Sequence, residues 1–294
     1  MKVGAVSIVG RPNVGKSTLL NSILNMKLAI TSKRAGTTRN LINGIYNDKD
    51  SQIIFVDTPG INKPLNKLES LMNKKSYSSI GDVDVILFLI DAKTGIGKKD
   101  MAVLNRLKEV DIPVFLVINK IDSLSHEQIM KTIIKAKDLY PFKEVIPISA
   151  ISRNNIDELL NTIKEYLEEQ DKIYSEDELT NVSLKFIMAE FVREKVLELT
   201  RDEIPYTVTC YTEEYQEEEN VVNVSVVIIV ERENIKPIII GKKGSMLKEI
   251  GIRAREDMEK FLGKKVYLET YVKTLKNWRD EEKYFLELGL KEDE

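Results

Sequence analysis

A single cysteine, Cys210, stands among 294 residues. One thiol forms no internal disulfide, so a stapled secreted scaffold is excluded and a reducing compartment fits. Histidine is as scarce: His126 is alone, which excludes a multi-histidine metal site. No apolar run reaches the ~18 residues of a membrane-spanning helix. The opening stretch, MKVGAVSIVGRPNVGKS, is apolar for a few positions and then becomes a glycine-containing motif, so no signal peptide is expected. Net charge is small, with 44 Lys plus Arg against 47 Asp plus Glu and −3 overall. A uniformly basic nucleic-acid binder is thereby excluded, though a local basic patch is not. Internal repeats and low-complexity tracts are absent. The remainder is ordinary: 43% hydrophobic and 31% charged residues describe a soluble globular chain. At roughly 150 residues per domain, its length suggests two domains.

The first half alternates apolar runs with helical spacing. Val3–Val9, Gln52–Asp57, Asp84–Asp91, Pro113–Asn119 and Val145–Ser149 read as buried strands, short and rich in Val, Ile and Phe. Lys16–Leu24, Asp100–Val110, His126–Leu139 and Ile156–Glu169 carry helical spacing. This alternation predicts an α/β domain over residues 1–170, with a mostly parallel sheet and helices on both faces. Residues 171–181 are polar and acidic and read as a linker. Over 182–280 the order becomes helix (Ser183–Thr200), strand (Tyr206–Tyr211), strand (Val221–Glu231), two helical segments (Ile235–Ile240 and Ser245–Phe261) and a strand (Val266–Lys273), a smaller α+β module. The acidic run Glu213–Glu219 reads as the solvated connection of a hairpin, and 281–294 as a tail frayed from Leu290 onward.

Gly10-Arg11-Pro12-Asn13-Val14-Gly15-Lys16-Ser17 fits G-x-x-x-x-G-K-[ST] between a strand-like run and a helical pattern. In that context the backbone N–H groups of residues 13–18, Thr18 included, turn inward around an anion. The positive end of the new helix adds to them. Lys16 places its ammonium on the outer phosphates, and the Ser17 hydroxyl is suited to Mg²⁺. Asp57-Thr58-Pro59-Gly60 follows the second strand: a carboxylate for the metal and a backbone N–H for a γ-phosphate. Between them Lys33–Asn40 has no periodicity and reads as a loop from which Thr37 or Thr38 reaches the metal when a γ-phosphate orders it.

Asn119-Lys120-Ile121-Asp122 closes another apolar run. A carboxylate at Asp122 accepts from guanine N1–H and its exocyclic amine. Adenine would leave it unpaired, at a cost above ~2 kcal/mol. Asn119 reaches N7 and braces the phosphate loop, the Lys120 stem lies along the base, and Ser149-Ala150 offers a backbone N–H to O6. Ile61 occupies the place after the DxxG motif and has no group to orient a water, so hydrolysis relies on Mg²⁺, Lys16 and Gly60; Arg11, Arg34 and Arg39 are candidates for an arginine finger. Two other readings compete with a GTP-driven switch: an RNA binder with a vestigial nucleotide site, which intact Lys16, Ser17, Asp57 and Asp122 argue against, and an ATP-using enzyme, which Asp122 opposes.

In the second half, Gly241-Lys242-Lys243-Gly244 joins two helical segments, as a KH domain requires. Glycines let backbone approach a nucleic-acid strand and the lysines add charge, with Ile240 before and Lys248 after the loop. From Lys236 to Arg279 there are 12 Lys plus Arg against 5 Asp plus Glu, a basic region inside an acidic chain. Ile238, Ile239, Ile240, Ile250 and Ile252 read mostly as core, some as groove rim. Tyr267 and Tyr271 read as core rather than base-stacking; Trp278 is a stacking candidate. His126 reads as a surface helix residue and Cys210 as strand core.

These motifs resemble those of the Ras-like GTPases. The wording GRPNVGKS, GTTR, DTPG, NKID and SA, followed by GKKG and GIRAR, is similar over essentially the whole chain to the Era-type family, which pairs a P-loop GTPase domain with a type-II KH domain. The resemblance implies GTP and GDP as ligands with Mg²⁺, a K⁺ ion at Asn13 in the place of an arginine, and GTP hydrolysis. It further implies binding to the 3′ end of small-subunit ribosomal RNA, work on the 30S subunit, and a cytoplasmic protein with peripheral membrane association. Nothing in the sequence demands more than a monomer.

Overall fold

The computed structural model describes residues 1–290 apart from Lys33, Ala35 and Asn62, and omits the Glu287 side chain. Of the expected mobile loop, Lys33 and Ala35 lie outside the described residues, as do residues 291–294 of the expected tail. The chain forms two compact units. One comprises Met1–Ala29, Thr38–Pro64 and Leu71–Asn181; the other comprises Ile30–Thr37, Leu65–Ser70 and Val182–Glu294.

The first unit is an α/β layer structure. Its strands are β1 (Lys2–Val9), β2 (Ile42–Asn47), β3 (Ser51–Asp57), β4 (Val85–Asp91), β5 (Val114–Asn119), β6 (Glu144–Pro147) and the short β7 (Glu168–Glu169). They lie in the order β2-β3-β1-β4-β5-β6, with β7 on β1. β1 runs parallel to β3 and β4, β4 to β5 and β5 to β6, while β2 and β7 are antiparallel additions. The continuous apolar run of β4 is what a strand covered on both faces requires, and Val85 through Ile90 are fully buried. Each such side chain contributes roughly 1.5–3 kcal/mol. The helices are α1 (Lys16–Leu24), α2 (Lys67–Ser78), whose residues up to Ser70 belong to the second unit, α3 (Lys98–Leu107), α4 (His126–Lys137) and α5 (Ile156–Glu165). Ser125 and Gln128 form a reciprocal capping box at the start of α4, which leaves His126 exposed on the first turn.

The second unit contains α6 (Leu184–Leu199), β8 (Val208–Glu217), β9 (Val221–Val230), α7 (Lys236–Ile240), α8 (Ser245–Leu262), β10 (Lys265–Thr274) and α9 (Lys283–Glu287). Its three strands are ordered β10-β9-β8, β10 parallel and β8 antiparallel to β9. The order α-β-β-α-α-β is that of a type-II KH module.

Several expectations are corrected. β2 and α2 have no clear signal in the pattern: β2 is interrupted by Gly44, and α2 is polar along most of its length. The acidic run is not a loop to its end, because Glu213 through Glu217 belong to β8 and only a short turn remains before β9. Residues 171–181 are not free linker. The Gln52 side chain bonds the backbone of Ile173 and Tyr174, and Leu179 accepts from Ile45 N–H at 2.9 Å. The stretch after 280 holds α9, with Phe285, Leu288 and Leu290 buried. Trp278 is fully buried, its indole N–H donating to the Thr207 carbonyl at 3.0 Å, so it stacks on no base. Tyr267 and Tyr271 are half-exposed rather than core. Cys210 is buried in β8.

Candidate functional site

The expected nucleotide motifs all follow the C-terminal ends of neighbouring parallel strands: Gly10 after β1, Asp57 ending β3, Asn119 ending β5, Ser149 beyond β6. Ligands of open α/β sheets bind at that edge. Gly15 sits at φ +104°, immediately before α1, and a Cβ there would collide with the Asn119 side-chain amide. That close approach is required because Asn119 Nδ2 donates to the Val14 carbonyl at 2.9 Å, joining the base-reading segment to the phosphate loop. Lys16 is buried, its ammonium donating to the carbonyls of Gly10 and Arg11 at 3.2 and 3.3 Å. Burial pulls its pKa below the usual lysine range, partly opposed by Asp57. Asn13 is exposed with positive φ, and Thr18 is half-buried in the first turn of α1.

Three oxygens converge beside the loop. Ser17 Oγ donates to Asp57 Oδ2 at 2.6 Å, and Thr38 Oγ1 lies 2.9 Å from Ser17 Oγ and 3.4 Å from Asp57 Oδ2. Asp57 Oδ1 is buried without a hydrogen-bond partner. Burial raises the Asp57 pKa against the opposing effect of Lys16, Ser17 and Thr38. Hard oxygen donors around an unsatisfied carboxylate oxygen fit Mg²⁺. Thr37 does not join them; its hydroxyl donates to the Arg34 carbonyl at 2.8 Å. Thr58 is fixed by a 2.8 Å bond to the Ile8 carbonyl, and Pro59 accepts from Ser76 at 2.8 Å. Gly60 rests against Pro12, where a Cβ would lie 2.7 Å from the ring. Ile61 turns into the core cluster with Val9, Ile80 and Phe88, away from any water-orienting role.

The base-reading turn is built by Lys120, at φ +69°, with the short helix Ile121–Ser123 behind it. Asp122 Oδ1 accepts from Ser149 Oγ at 2.5 Å. The Ala150 N–H donates to Asn119 Oδ1 at 3.0 Å, which groups Asn119, Asp122, Ser149 and Ala150 around one point. Lys120 is steered by a 2.8 Å ion pair with Asp91 and a 2.7 Å bond to the Asn13 carbonyl. Asp91 belongs to none of the expected motifs; its signal is the strand-end position it shares with Asp57. Ile121 packs into the core.

Two arginine-finger candidates are otherwise engaged. Arg11 faces the fully buried Asp100, Nε to Oδ1 at 3.3 Å, and donates to the Thr94 hydroxyl. Arg34 donates to the carbonyls of Leu197, at 2.9 Å, and Thr200. Arg39 is buried.

In the second unit, the loop after α7 places Lys242 and Lys243 in solvent, and Ile240 is half-buried. Gly241 has φ +74°, and a Cβ would stand 2.7 Å from the Met246 backbone nitrogen. A groove of about 350 Å³ runs from this loop between α8 and β10, lined by Gly244, Leu247, Lys248, Gly251, Ile252 and Arg255, then by Leu268 and Thr270 of the strand. Gly244 and Lys248 are among the expected RNA-binding residues. Leu247, Gly251, Ile252 and Arg255 form a stripe at helical spacing along α8 that the sequence pattern does not mark as a groove. Ile238 and Ile252 are exposed, as rim residues would be, whereas Ile239 and Ile250 are buried.

A mostly parallel sheet whose strand ends present a phosphate loop, a metal-suited carboxylate and an Asn-Lys-Ile-Asp turn defines a P-loop GTPase, and here a KH module follows it. Residues 5–120 match the family described as 50S ribosome-binding GTPase, and residues 203–279 match the KH domain family. Over 287 residues the chain is 48% identical to the GTPase Era of Lacticaseibacillus paracasei, covering 97% of this chain and 96% of that protein. A crystal structure of an Aquifex aeolicus Era variant bound to GDP and AlF4⁻ superposes with a TM-score of 0.95 at 44% identity, over 99% of both chains. A structure of Era in complex with MgGDPNP and nucleotides 1506–1542 of 16S ribosomal RNA matches with the same TM-score, identity and coverage. The chain belongs to the Era family of GTPases. No helix among the described residues is long and apolar enough to cross a membrane.

Proposed function

We propose that this GTPase is a nucleotide-driven RNA-binding switch: it binds and hydrolyses GTP, grips the 3′ end of small-subunit ribosomal RNA in the α8–β10 groove, and acts in assembly and maturation of the 30S subunit. The observation that carries the reading is the convergence of Ser17, Thr38 and Asp57 on one point beside Lys16, with a groove and basic loop of KH type on the same chain. The relative solved with MgGDPNP and nucleotides 1506–1542 of 16S ribosomal RNA supports both halves of it.

Each group of residues has its own task. Main-chain N–H groups of residues 13–18 hold the phosphates, and Lys16 neutralises charge on the transferred group. Ser17, Thr38 and Asp57 would hold Mg²⁺, which supplies charge stabilisation between the outer phosphates when bound. Thr38 sits at that point only while its loop is ordered, so its hydroxyl senses the γ-phosphate together with the Gly60 N–H. Asp122, oriented by Ser149, selects guanine. Ile61 offers no polar group, and Asn13 would hold a K⁺ ion, which would supply the charge that an arginine otherwise brings. Lys242, Lys243 and Lys248 neutralise RNA phosphates, while Ile240, Ile252 and the glycine-bounded loop admit unstacked bases. On this reading the protein works in the cytoplasm as a monomer, with peripheral contact at the inner membrane surface.

The test is the affinity for an RNA spanning nucleotides 1506–1542 of 16S ribosomal RNA, measured with GDP and with a non-hydrolysable GTP analogue. Tighter binding with the analogue supports the switch; equal binding leaves a constitutive RNA binder. Competition by ATP for the nucleotide site would point to an ATP-using enzyme instead.

A further inference from the structure

The middle of helix α6 is buried on every side. Every residue from Ile187 to Leu197 is buried, including Glu190, Arg193, Glu194 and Lys195. Charged residues are almost never buried without partners, so each of these has a reason to be there. Within the second unit, Thr31, Arg34 and Thr37 bond one stripe of the helix. Glu194 Oε1 accepts the Thr31 N–H at 2.8 Å, Arg34 donates to the carbonyls of Leu197 and Thr200, and Arg193 donates to the Thr37 carbonyl. Positions 193, 197 and 200 share a helix face with 194 at its margin. Arg34 thereby satisfies carbonyls at the helix C-terminus, which the helix's own backbone leaves without partners.

The other face of the helix leads to the RNA groove. Glu194 Oε2 accepts from Lys195 Nζ at 2.9 Å, and the same ammonium lies 2.7 Å from Asp257 Oδ2. Asp257 is on α8, the helix whose opposite edge lines the groove with Lys248 and Arg255. The three charges are largely shielded, with side-chain exposures of 1%, 9% and 16%. Burial works against the Lys195 charge, yet the two carboxylates outweigh it and hold its pKa above the ordinary range.

We propose that Glu194 is the positioning residue through which the segment Ile30–Thr37 sets the placement of α8: one carboxylate takes a backbone N–H of that segment on one oxygen and, on the other, the ammonium that anchors the groove helix. The inference rests on the switch reading above and names its physical route. When the segment leaves its seat, Glu194 loses the Thr31 N–H and α6 loses the arginine that caps it. The carboxylate and Lys195 then settle differently, and α8 loses a fixed neighbour. Coupling of this kind is reciprocal: whatever factor the ordered segment adds to RNA affinity, RNA adds to the ordering of the segment.

The test uses the full-length protein and the same RNA. The quantity read is the ratio of RNA affinities with GTP analogue and with GDP, not either affinity alone. Glu194→Gln keeps an oxygen for the Thr31 N–H and removes the attraction to Lys195. Asp257→Asn removes the last link and leaves Glu194 untouched. Both variants are expected to bind GDP normally and to bring the affinity ratio toward one, and the double variant to add nothing further. In the wild type, RNA should also slow amide exchange within residues 30–37, and Asp257→Asn should abolish that slowing. If the wild type shows a ratio that both variants retain within about twofold, the route is wrong while the switch stands. If the wild type shows no ratio, the switch reading itself fails. Should Glu194→Gln not fold, the more exposed Asp257→Asn decides the matter alone.

Discussion

Thr37 and Thr38 are neighbours in the chain and serve different units. The Thr37 carbonyl accepts from Arg193 and its hydroxyl donates to the Arg34 carbonyl, whereas the Thr38 hydroxyl stands 2.9 Å from Ser17 Oγ. The sequence offers two threonines of equal chemistry, and the geometry separates them. Thr38→Ala is expected to slow GTP hydrolysis about tenfold or more, since it removes an oxygen aimed at the charge centre of the reaction. Thr37→Ala should leave the rate within a factor of about three, because its hydroxyl serves one loop bond only. Single-turnover hydrolysis at saturating Mg²⁺ distinguishes them; equal losses would return the two residues to parity.

On the proposed reading, base selection concentrates on one carboxylate. Asp122→Asn keeps the bond from Ser149 in reach and replaces an acceptor by a donor opposite guanine N1–H. GDP affinity should fall by more than ~30-fold, in line with the ~2 kcal/mol or more that an unpaired buried polar group costs. Xanthosine diphosphate should gain by comparison. Titration with a fluorescent nucleotide measures both, and an unchanged GDP affinity would remove Asp122 from the site.

The basic loop carries a backbone test and a charge test. Gly241→Ala puts a Cβ 2.7 Å from the Met246 nitrogen at φ +74°, so RNA binding should be lost while the GTPase unit keeps its nucleotide affinity. Gly244→Ala, at φ +78° but with open space around it, carries only the backbone strain of roughly 1–2 kcal/mol. Replacing both Lys242 and Lys243 by Ala should flatten the salt dependence of RNA binding by about 0.7 in log–log slope for each phosphate no longer neutralised. A fluorescence-anisotropy series across KCl concentrations gives that slope directly.

Potassium is the cleanest check on Asn13. Turnover in KCl should exceed turnover in NaCl for the wild type and equal it for Asn13→Ala. Rates that ignore both the cation and the substitution would leave hydrolysis to Mg²⁺, Lys16 and Gly60.

Asp48 gives a stability prediction with a defined pH window. Burial pushes its pKa up, but Lys164, the Asp50 N–H and the Ser51 hydroxyl outweigh that and bring it to about 2. A folded-state pKa below the unfolded value contributes stability above the unfolded pKa and loses it as pH falls through the folded one. Asp48→Asn should therefore cost about 1 kcal/mol near neutrality, after allowance for screening at a partly exposed pair. The difference from wild type should shrink below pH 3.8 and vanish near 2. Denaturant melts at several pH values measure it.

The nucleotide motifs are legible in the sequence because a phosphate-binding loop and a base-reading turn demand particular residue types at fixed spacing, so spacing alone carries Gly10, Lys16, Asp57, Asn119 and Asp122. The strands of the first unit are legible for a different reason, since a strand covered on both faces is an unbroken apolar run such as Val85–Ile90. What escapes lacks either signature. β2 is an edge strand with a glycine inside it. The groove stripe of α8 looks like any amphipathic helix, because an apolar face that lines a groove is indistinguishable from one that meets a core. Glu190, Arg193, Glu194 and Lys195 look like a solvent face; Glu190 pairs with Arg193 on the same helix, while Arg193, Glu194 and Lys195 find tertiary partners in Thr37, Thr31 and Asp257. Tyr267 and Tyr271 have the spacing of a core strand and stand half in solvent on the uncovered side of the sheet.

The stretch of α6 from Ile187 to Leu197, with no solvent face, has no neutral positions. Along α6 a lineage could drift only by exchanging residues in concert, a carboxylate at 194 together with the ammonium at 195 and the acid at 257, an arginine at 34 together with the turn that receives it. In a saturation library of this protein, residues 187 to 197 would form the longest stretch of intolerance away from the nucleotide, and the rare survivors there would carry second changes on α8 or in the loop before Thr38.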